Sequence, residues 1–350
     1  MATEALHIVD GGGFLYRAYH ATAGRGPTAG LQAFAGMLDK LERTHQPRRA
    51  VVAMDSRGRT WRHELFAEYK AGRPPPAPEL IAQLPRFAPL AQALGWPVVA
   101  AAGLEADDLV AAAVEVGRAA GMPVVIHAAD KDLLQLVGPD VRQVDDVRGL
   151  TWDAATVESR MGVRPDRLAD YLALRGDPGD NVPGLPGVGE KTAAELVRQY
   201  SDLEALIAAN PKVRGKHPAA GAGAELLRLS RRLVELDAIA AAPHVGAIDR
   251  LVIGRRDQAA IRELTTPPRP PEQLGLAGVA PPAPAAGRSG PVSDPRPAAA
   301  PAPAAAPYWA GLLDVDAREL LEERAAIREY CGGQDRAAAE RAAFDEVGRR

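Results

Sequence analysis

Leu6-His-Ile-Val-Asp10-Gly-Gly-Gly13 opens on a short apolar run and stops on an aspartate, and that pairing decides the fold. Such a run, bounded by glycine, reads as a buried strand, Leu6 to Val9. Three further runs share its character: Ala50 to Met54, Pro97 to Ala100 and Val124 to Ile126. Helix-period segments lie between them. Leu31, Phe34, Ala35, Leu38 and Leu41 fall on one face of a helix that starts near Pro27-Thr28, and another helix is expected from about Ala106 to Ala119. Strands alternating with helices predict an α/β fold with a mostly parallel central sheet flanked by helices. Ligands of such sheets bind outside the carboxyl ends of the strands. Asp10, Asp55 and Asp130 each fall at or just after such an end.

The chain has 350 residues, 47% of them hydrophobic, which suffices for one large domain or two smaller ones with a buried core. A formal charge of −3 argues at first sight against a polyanionic partner. Residues 308–350, however, hold 10 acidic and 7 basic side chains, which leaves 35 of each in the first 307. If nine of those 35 carboxylates bind metal, the remaining surface carries nine surplus positive charges, compatible with a basic DNA track. Cys331 is the one cysteine, so an intramolecular disulfide and zinc sites built on paired cysteines are excluded, and a reducing compartment fits. The N-terminus has no basic segment followed by a long apolar stretch, and nowhere do roughly 18 apolar residues run unbroken. We expect a soluble, cytoplasmic protein with no membrane partner.

From about Asp153 to Leu264 helical periodicity with Gly/Pro punctuation dominates, which predicts a helical second lobe. Residues from about 267 to 307 are mostly Pro, Ala and Gly, a composition that buries too little apolar surface to offset ordering entropy, and they read as a semi-extended linker. Beyond it, Asp316 to Tyr330 and Asp335 to Val347 read as two short charged helices around Cys331-Gly-Gly333. They are either a docking element for an unknown protein or a solvated tail.

Acidic residues are clustered. Beside Asp10 and Asp55 stand Glu105-Ala-Asp107-Asp108, Asp130-Lys-Asp132, Asp145-Asp146 and Asp177-Pro-Gly-Asp180. Hard divalent cations take oxygen ligands from separate chain segments, without His or Cys. All of these clusters except Asp145-Asp146, which reads as a turn, supply such a set together with the two strand-end aspartates. Two metals about 3.5 to 4 Å apart can activate water on one side of a phosphate and stabilise the departing oxygen on the other. Each cluster alone has a plainer reading. Asp107 and Asp108 suit the N-terminus of the following helix, and Asp130 and Asp132 suit a loop or cap.

Trp61-Arg-His-Glu64 through Tyr69-Lys-Ala-Gly-Arg73 gathers cations with aromatics, the combination that binds single-stranded nucleic acid, although an exposed amphipathic helix would look similar. Pro74 to Pro78 ends any helix there. Val182-Pro-Gly184-Leu-Pro-Gly187-Val-Gly189-Glu-Lys191 reads as a tight turn whose amides approach a phosphate and lead into a helix N-terminus, with Lys191 adding charge. Plain punctuation between two helices is the alternative.

These motifs together resemble the 5′ nuclease domain of bacterial DNA polymerase I and the wider flap-endonuclease family. They are Val9-Asp10-Gly11 with Tyr16-Arg17-Ala18, Asp55, Arg62-His63 with Tyr69 to Arg73, Glu105 to Asp108, Ala129 to Asp132, and Gly176-Asp177 through Asp180-Asn181 with the glycine hairpin. The resemblance covers roughly residues 6 to 265. It implies a PIN-like, resolvase-like sheet, a helical arch over the active site, and a helix-hairpin-helix element that binds duplex DNA with a K⁺. It implies two Mg²⁺ (or Mn²⁺), the first on Asp10, Asp55, Glu105 and Asp107, the second on Asp108, Asp130, Asp132, Asp177 and Asp180, with some sharing. Lys70 and Arg73 match arch cations that engage the scissile phosphate or the 5′ strand. Arg17, Arg62 and Tyr69 match DNA-contacting helpers, as do Gly184, Gly187, Gly189 and Lys191 of the hairpin.

The implied activity is hydrolysis of branched or 5′-ended DNA, with a 5′ flap, a nick or a free 5′ end, to give 5′-phosphates in replication or repair; an RNA primer in an RNA–DNA hybrid is a further substrate. The implied organisation is an α/β core at 1–175 with the arch at about 56–85, a helix-hairpin-helix lobe at 176–265, a linker at 266–307 and a helical tail at 308–350. No polymerase segment follows, so a stand-alone nuclease is expected. The rival readings are a metal-dependent RNase of the PIN type, for which the hairpin is not expected, and a non-catalytic branched-DNA-binding module, against which the intact carboxylate set argues.

Overall fold

The computed structural model describes residues 4–213 and 219–267. The expected tail helices, Cys331 and all but the first residues of the expected linker lie outside the described residues. A six-stranded sheet runs in the order β3-β2-β1-β4-β5-β6, with β1 at Leu6–Asp10, β2 at Arg49–Ala53, β3 at Val98–Val99, β4 at Val124–His127, β5 at Val141–Asp145 and β6 at Leu150–Trp152. β1 to β5 pair in parallel, and β6 closes the edge antiparallel to β5. Strand order reverses between β1 and its two neighbours, β2 and β4. The crevice left by such a reversal opens at the end of β1, where Asp10 stands.

The helices are α1 Gly11–Ala21, α2 Ala29–His45, α3 Trp61–Leu65, α4 Pro78–Ala93, α5 Ala106–Ala119, α6 Ala154–Met161, α7 Leu168–Arg175, α8 Glu190–Gln199, α9 Leu203–Ala209, α10 Ala222–Val234, α11 Ala238–Val245 and α12 Gln258–Thr265. Alternate residues of the strands face opposite helical layers. Leu6 and Ile8 join Val51, Ala53, Val124 and Ile126 beneath α5 and α11. Val9 joins Ala50 and Val52 beneath α1, α2 and α4. Burial on both faces explains why these strands read as unbroken apolar runs.

α2 begins after Thr28 and α5 spans 106–119, as the periodicity predicts. β5 and β6 were not foreseen. Val141-Arg-Gln-Val-Asp145 carries an arginine that is exposed between the buried Val141 and Gln143, an amide that donates to the carbonyls of Ala128 and Asp130, and a carboxylate that takes the Arg17 fork. An apolar-run criterion misses such a strand.

A second core gathers Val157, Leu168, Leu172, Leu196, Leu206, Leu227 and Leu233 from α6 to α10. α7 packs on α8 and α10, so the helical lobe is built from before residue 176. α11 returns to α5, α12 to α4 and α2, and Val252 bridges Arg49 at β2. The segment 56–85 comprises α3, a run of turns and the first part of α4. Among the described residues no helix is long and apolar enough to cross a membrane.

Candidate active site

Asp10 ends β1 and caps α1, its Oδ1 accepting from the Gly13 amide at 2.9 Å. The glycines that follow keep the space beside it open. A Cβ at Gly12 would lie 3.0 Å from Asp55 Oδ2 and 3.4 Å from Asp10 Oδ1, and one at Gly13 would lie 2.3 Å from Asp10 Oδ2. Asp55, just past β2, accepts from the Ala106 amide at 2.9 Å, which fastens the strand end to the start of α5. Past β4, Asp130 accepts from the Asp132 amide at 2.8 Å. From the helical lobe, Asp177 accepts from Gly179 at 2.8 Å. Asp10, Asp130, Asp132, Asp177 and Asp180 line one cleft of about 530 Å³, with Arg17, Arg73, Arg148 and Arg175 among its other walls.

The crowding disfavours ionisation. Burial raises Asp10 to about 7 against the Gly13 hydrogen bond, and the neighbouring Asp130 and Asp55 push the same way. Asp132 is raised to about 8 by burial and then by Asp130, Asp177 and Asp180. Asp107 is raised well above the usual carboxylate range by burial, Asp130, Asp10 and Asp55. Asp130 is also raised, burial outweighing the Asp132 amide, with Asp180 and Asp177 pushing the same way. Carboxylates from separate segments, repelling one another in a partly dry cleft, fit hard divalent cations, which would relieve the repulsion. No histidine lines this cleft.

The turns after α3 bring cations to this cluster. Lys70 Nζ lies 2.9 Å from Glu105 Oε1 and 3.6 Å from Asp180 Oδ2. Burial opposes its charge, but Glu105 and Asp180 hold its pKa above the usual lysine value. Its backbone is left-handed, φ 56°, a conformation costly for a lysine, and its amide donates to the Asp180 carbonyl at 2.9 Å. Arg73 pairs with the Asp180 carboxylate. The Tyr69 hydroxyl reaches Glu105 Oε2 at 3.1 Å and Asp180 Oδ2 at 3.2 Å. Tyr69 is thus a buried support for two carboxylates and offers no stacking face to a base, contrary to expectation.

Four other expectations are corrected. Asp108 is fully buried with both oxygens on Arg62, at 2.8 and 2.9 Å, and it accepts further from the amides of Asp237 and Glu105. On a helix, neighbouring residues point about 100° apart, so Asp108 turns away from the cluster that Asp107 faces. Arg62 in turn donates to the carbonyls of Leu233 and Glu235, at 2.8 and 2.7 Å, and is a buried tie between α3, α5 and the end of α10, not a DNA contact. Arg17 is buried and forks onto Asp145 at 2.9 and 3.1 Å. Asp145, read as part of a turn, ends β5 while Asp146 opens the turn after it, and both side chains are recruited by distant residues, Asp146 by His45 and His127. Only the fold reveals partners so far apart in the chain.

The glycine hairpin joins α7 to α8. Gly184 has φ 65°, and a Cβ there would come within 2.6 Å of the Gly176 amide nitrogen, so glycine is required for backbone packing. Its amide is buried and donates within the protein, to Ser230 Oγ at 3.2 Å. Gly187, Gly189 and Lys191 are exposed, with Gly189 at the N-cap of α8.

The comparisons agree with this architecture. Residues 5–162 match the family model of the 5′-3′ exonuclease N-terminal resolvase-like domain, and residues 163–256 match that of the 5′-3′ exonuclease C-terminal SAM fold. A 5′-3′ exonuclease of Aquifex aeolicus is 35% identical over 238 residues, 67% of this chain and 82% of that protein. DNA polymerase I of Pseudomonas aeruginosa is 40% identical over 219 residues, 61% of this chain but 24% of the polymerase, so the chain spans about a quarter of such relatives. The 5′-exonuclease of bacteriophage T5, solved with bound zinc, superposes with a TM-score of 0.61 at 21% identity, covering 79% of this chain and all of that one, which shows a shared fold. The chain therefore belongs to the 5′-3′ exonuclease family of nucleases, with both of its domains present.

Proposed function

We propose that the protein is a divalent-metal-dependent 5′ nuclease that hydrolyses phosphodiester bonds of DNA bearing a 5′ flap, a nick or a free 5′ end. The observation that carries this reading is the carboxylate-lined cleft at the strand ends with Lys70 and Arg73 set against it. Asp10, Asp55, Glu105 and Asp107 would hold one Mg²⁺ or Mn²⁺, and Asp130, Asp132, Asp177 and Asp180 a second. Bound cations would supply an activated water and offset the charge of the phosphate. Lys70 and Arg73 place positive charge where the scissile phosphate must enter. Tyr69 orients Glu105 and Asp180. The exposed amides of Gly187 and Gly189 with Lys191 grip the duplex backbone, and a K⁺ at this hairpin belongs to the same reading. RNA primers in hybrids, a cytoplasmic location and a protein-docking role for residues 308–350 extend it. In the T5 flap endonuclease, a structure of the same fold holds DNA and metal ions.

Labelled flap DNA and its RNA counterpart, incubated with Mg²⁺ and with EDTA, test the proposal. Mg²⁺-dependent release of 5′-phosphorylated DNA products supports it. Cleavage of the RNA alone would favour an RNase, and binding without cleavage would favour a branch-binding module.

A further inference from the structure

Three histidines and an aspartate meet away from the nuclease cleft. His7 of β1 and His127 of β4 share the sheet face covered by α2, whose last residue is His45; Asp146 follows β5. His45 Nε2 lies 2.7 Å from Asp146 Oδ1, and His127 Nδ1 lies 2.6 Å from Asp146 Oδ2. Behind them, His7 Nδ1 lies 2.9 Å from His127 Nε2. One nitrogen from each of His45 and His127 and one oxygen of Asp146 fall within 4.8 Å of one another. None of the four residues lines the cleft that holds Asp10 and Asp130.

We propose that His45, His127 and Asp146 form a second, chemically distinct metal site, which takes a borderline transition ion of the Zn²⁺ class through two imidazole nitrogens and one carboxylate oxygen. Imidazole with carboxylate suits Zn²⁺, whereas the all-oxygen cleft suits Mg²⁺. A buried imidazole such as His127 resists protonation, which leaves a lone pair to donate. On metal binding, the proton that now joins His127 Nδ1 to Asp146 moves to Nε2, where His7 Nδ1 accepts it at 2.9 Å. His7 in turn carries its own proton on Nε2. His45 makes the same exchange between its ring nitrogens, so no proton need be released. The outer hydrogen bond from a ligating imidazole is a regular feature of zinc sites, and His7 provides it. His45 and Asp146 remain partly open to solvent, at 22% and 11%, which gives the ion an entry path and a place for a water ligand. Bonds of about 2.0 to 2.1 Å require the donor atoms to draw together; His45 is the last residue of α2 and partly exposed.

The test uses the whole protein, stripped with EDTA, dialysed and then held in excess Mg²⁺ to occupy the nuclease cleft. Zn²⁺ is titrated by calorimetry and thermal melting, and Co²⁺ by visible absorption. Wild type and Asp10→Asn should both bind one Zn²⁺ with a rise in melting temperature and give intense Co²⁺ bands. His45→Ala and Asp146→Asn should lose both responses. His7→Phe should weaken Zn²⁺ by about 10- to 100-fold without abolishing it. His45→Gln serves if the alanine variant misfolds, with circular dichroism as the check. Absence of Zn²⁺ binding in wild type overturns the proposal. So does Zn²⁺ binding that survives His45→Ala, or that disappears in Asp10→Asn, since the ion would then sit in the nuclease cleft.

Discussion

Arg62 and Asp108 form a closed fork, two N–H···O bonds of 2.9 and 2.8 Å between a side chain 2% exposed and one with no exposure. The pair separates two adjacent aspartates by role: Asp107 faces the carboxylate cluster, while Asp108 holds α3, α5 and the end of α10 together. Burial opposes ionisation of Asp108, but the guanidinium holds its carboxyl below the usual range. Removing one partner leaves the other charged and buried. Arg62→Ala should therefore cost about 3 to 5 kcal/mol of stability. Asp108→Asn should also destabilise the fold, with turnover in the folded fraction retained. Denaturant melts beside single-turnover cleavage check this; an Asp108→Asn protein of native stability but no activity would return Asp108 to the metal site.

Lys70→Ala should lower turnover on the order of 100-fold, as loss of a charge-stabilising donor does. Affinity for duplex DNA should change far less, because the proposed function assigns the duplex grip to the hairpin and not to Lys70. Cleavage at saturating enzyme and binding in EDTA separate the two. Equal losses would take Lys70 out of the chemistry.

Asn at both Asp130 and Asp132 keeps shape but withdraws two negative charges from the cleft. Most cleavage should vanish while flap DNA still binds, and binding should tighten as repulsion with phosphate falls. Near wild-type cleavage in the folded variant would end the assignment of this pair to a metal.

Metal removal should leave a pH signature. In metal-free protein Asp10 and Asp132 keep their protons to about 7 and about 8, whereas an unfolded aspartate loses its proton near ~3.9. Stability from this tighter proton binding is whole below pH ~4 and is lost as pH rises through that window. Melting temperatures in EDTA should fall more steeply between pH 5 and 8 than in excess Mg²⁺, which binds the folded form. Asp132→Asn should flatten the EDTA curve. Parallel curves with and without Mg²⁺ would argue against an ion in the cleft.

In the hairpin, Lys191→Ala should weaken duplex binding and lower its salt slope by about 1. Gly184→Ala should act on stability instead, since its Cβ would meet the backbone of residues 175 and 176. A salt slope unchanged in Lys191→Ala would place that lysine off the DNA.

The sheet and its acidic rim were legible because buried parallel strands announce themselves as apolar runs and their ends mark the ligand side. Asp10, Asp55 and Asp130 needed nothing more. What was not legible depends on contacts across the chain. Arg17 and Asp145 are 128 residues apart, and a cationic residue in a motif looks the same whether it meets phosphate or a buried carboxylate. Arg62 and Tyr69 were misread for that reason. Gly184 was misread because a glycine needed for backbone packing and one needed for a ligand share the same letter. β5 was hidden by its polar residues, an exposed Arg142 and a Gln143 and Asp145 buried against partners distant in the chain.

β1 carries five residues, and both chemistries of the molecule hang on its pairing. His7 meets His127 only because odd-numbered residues face α2, and Asp10 reaches the crevice only because the strand stops there. A slip by one residue would swing every side chain to the opposite face. Insertion or deletion of a single amino acid between Leu6 and Asp10 would therefore misalign the acidic rim and dismantle the imidazole group in one stroke. The strand acts as a vernier, with two distant settings locked to one scale.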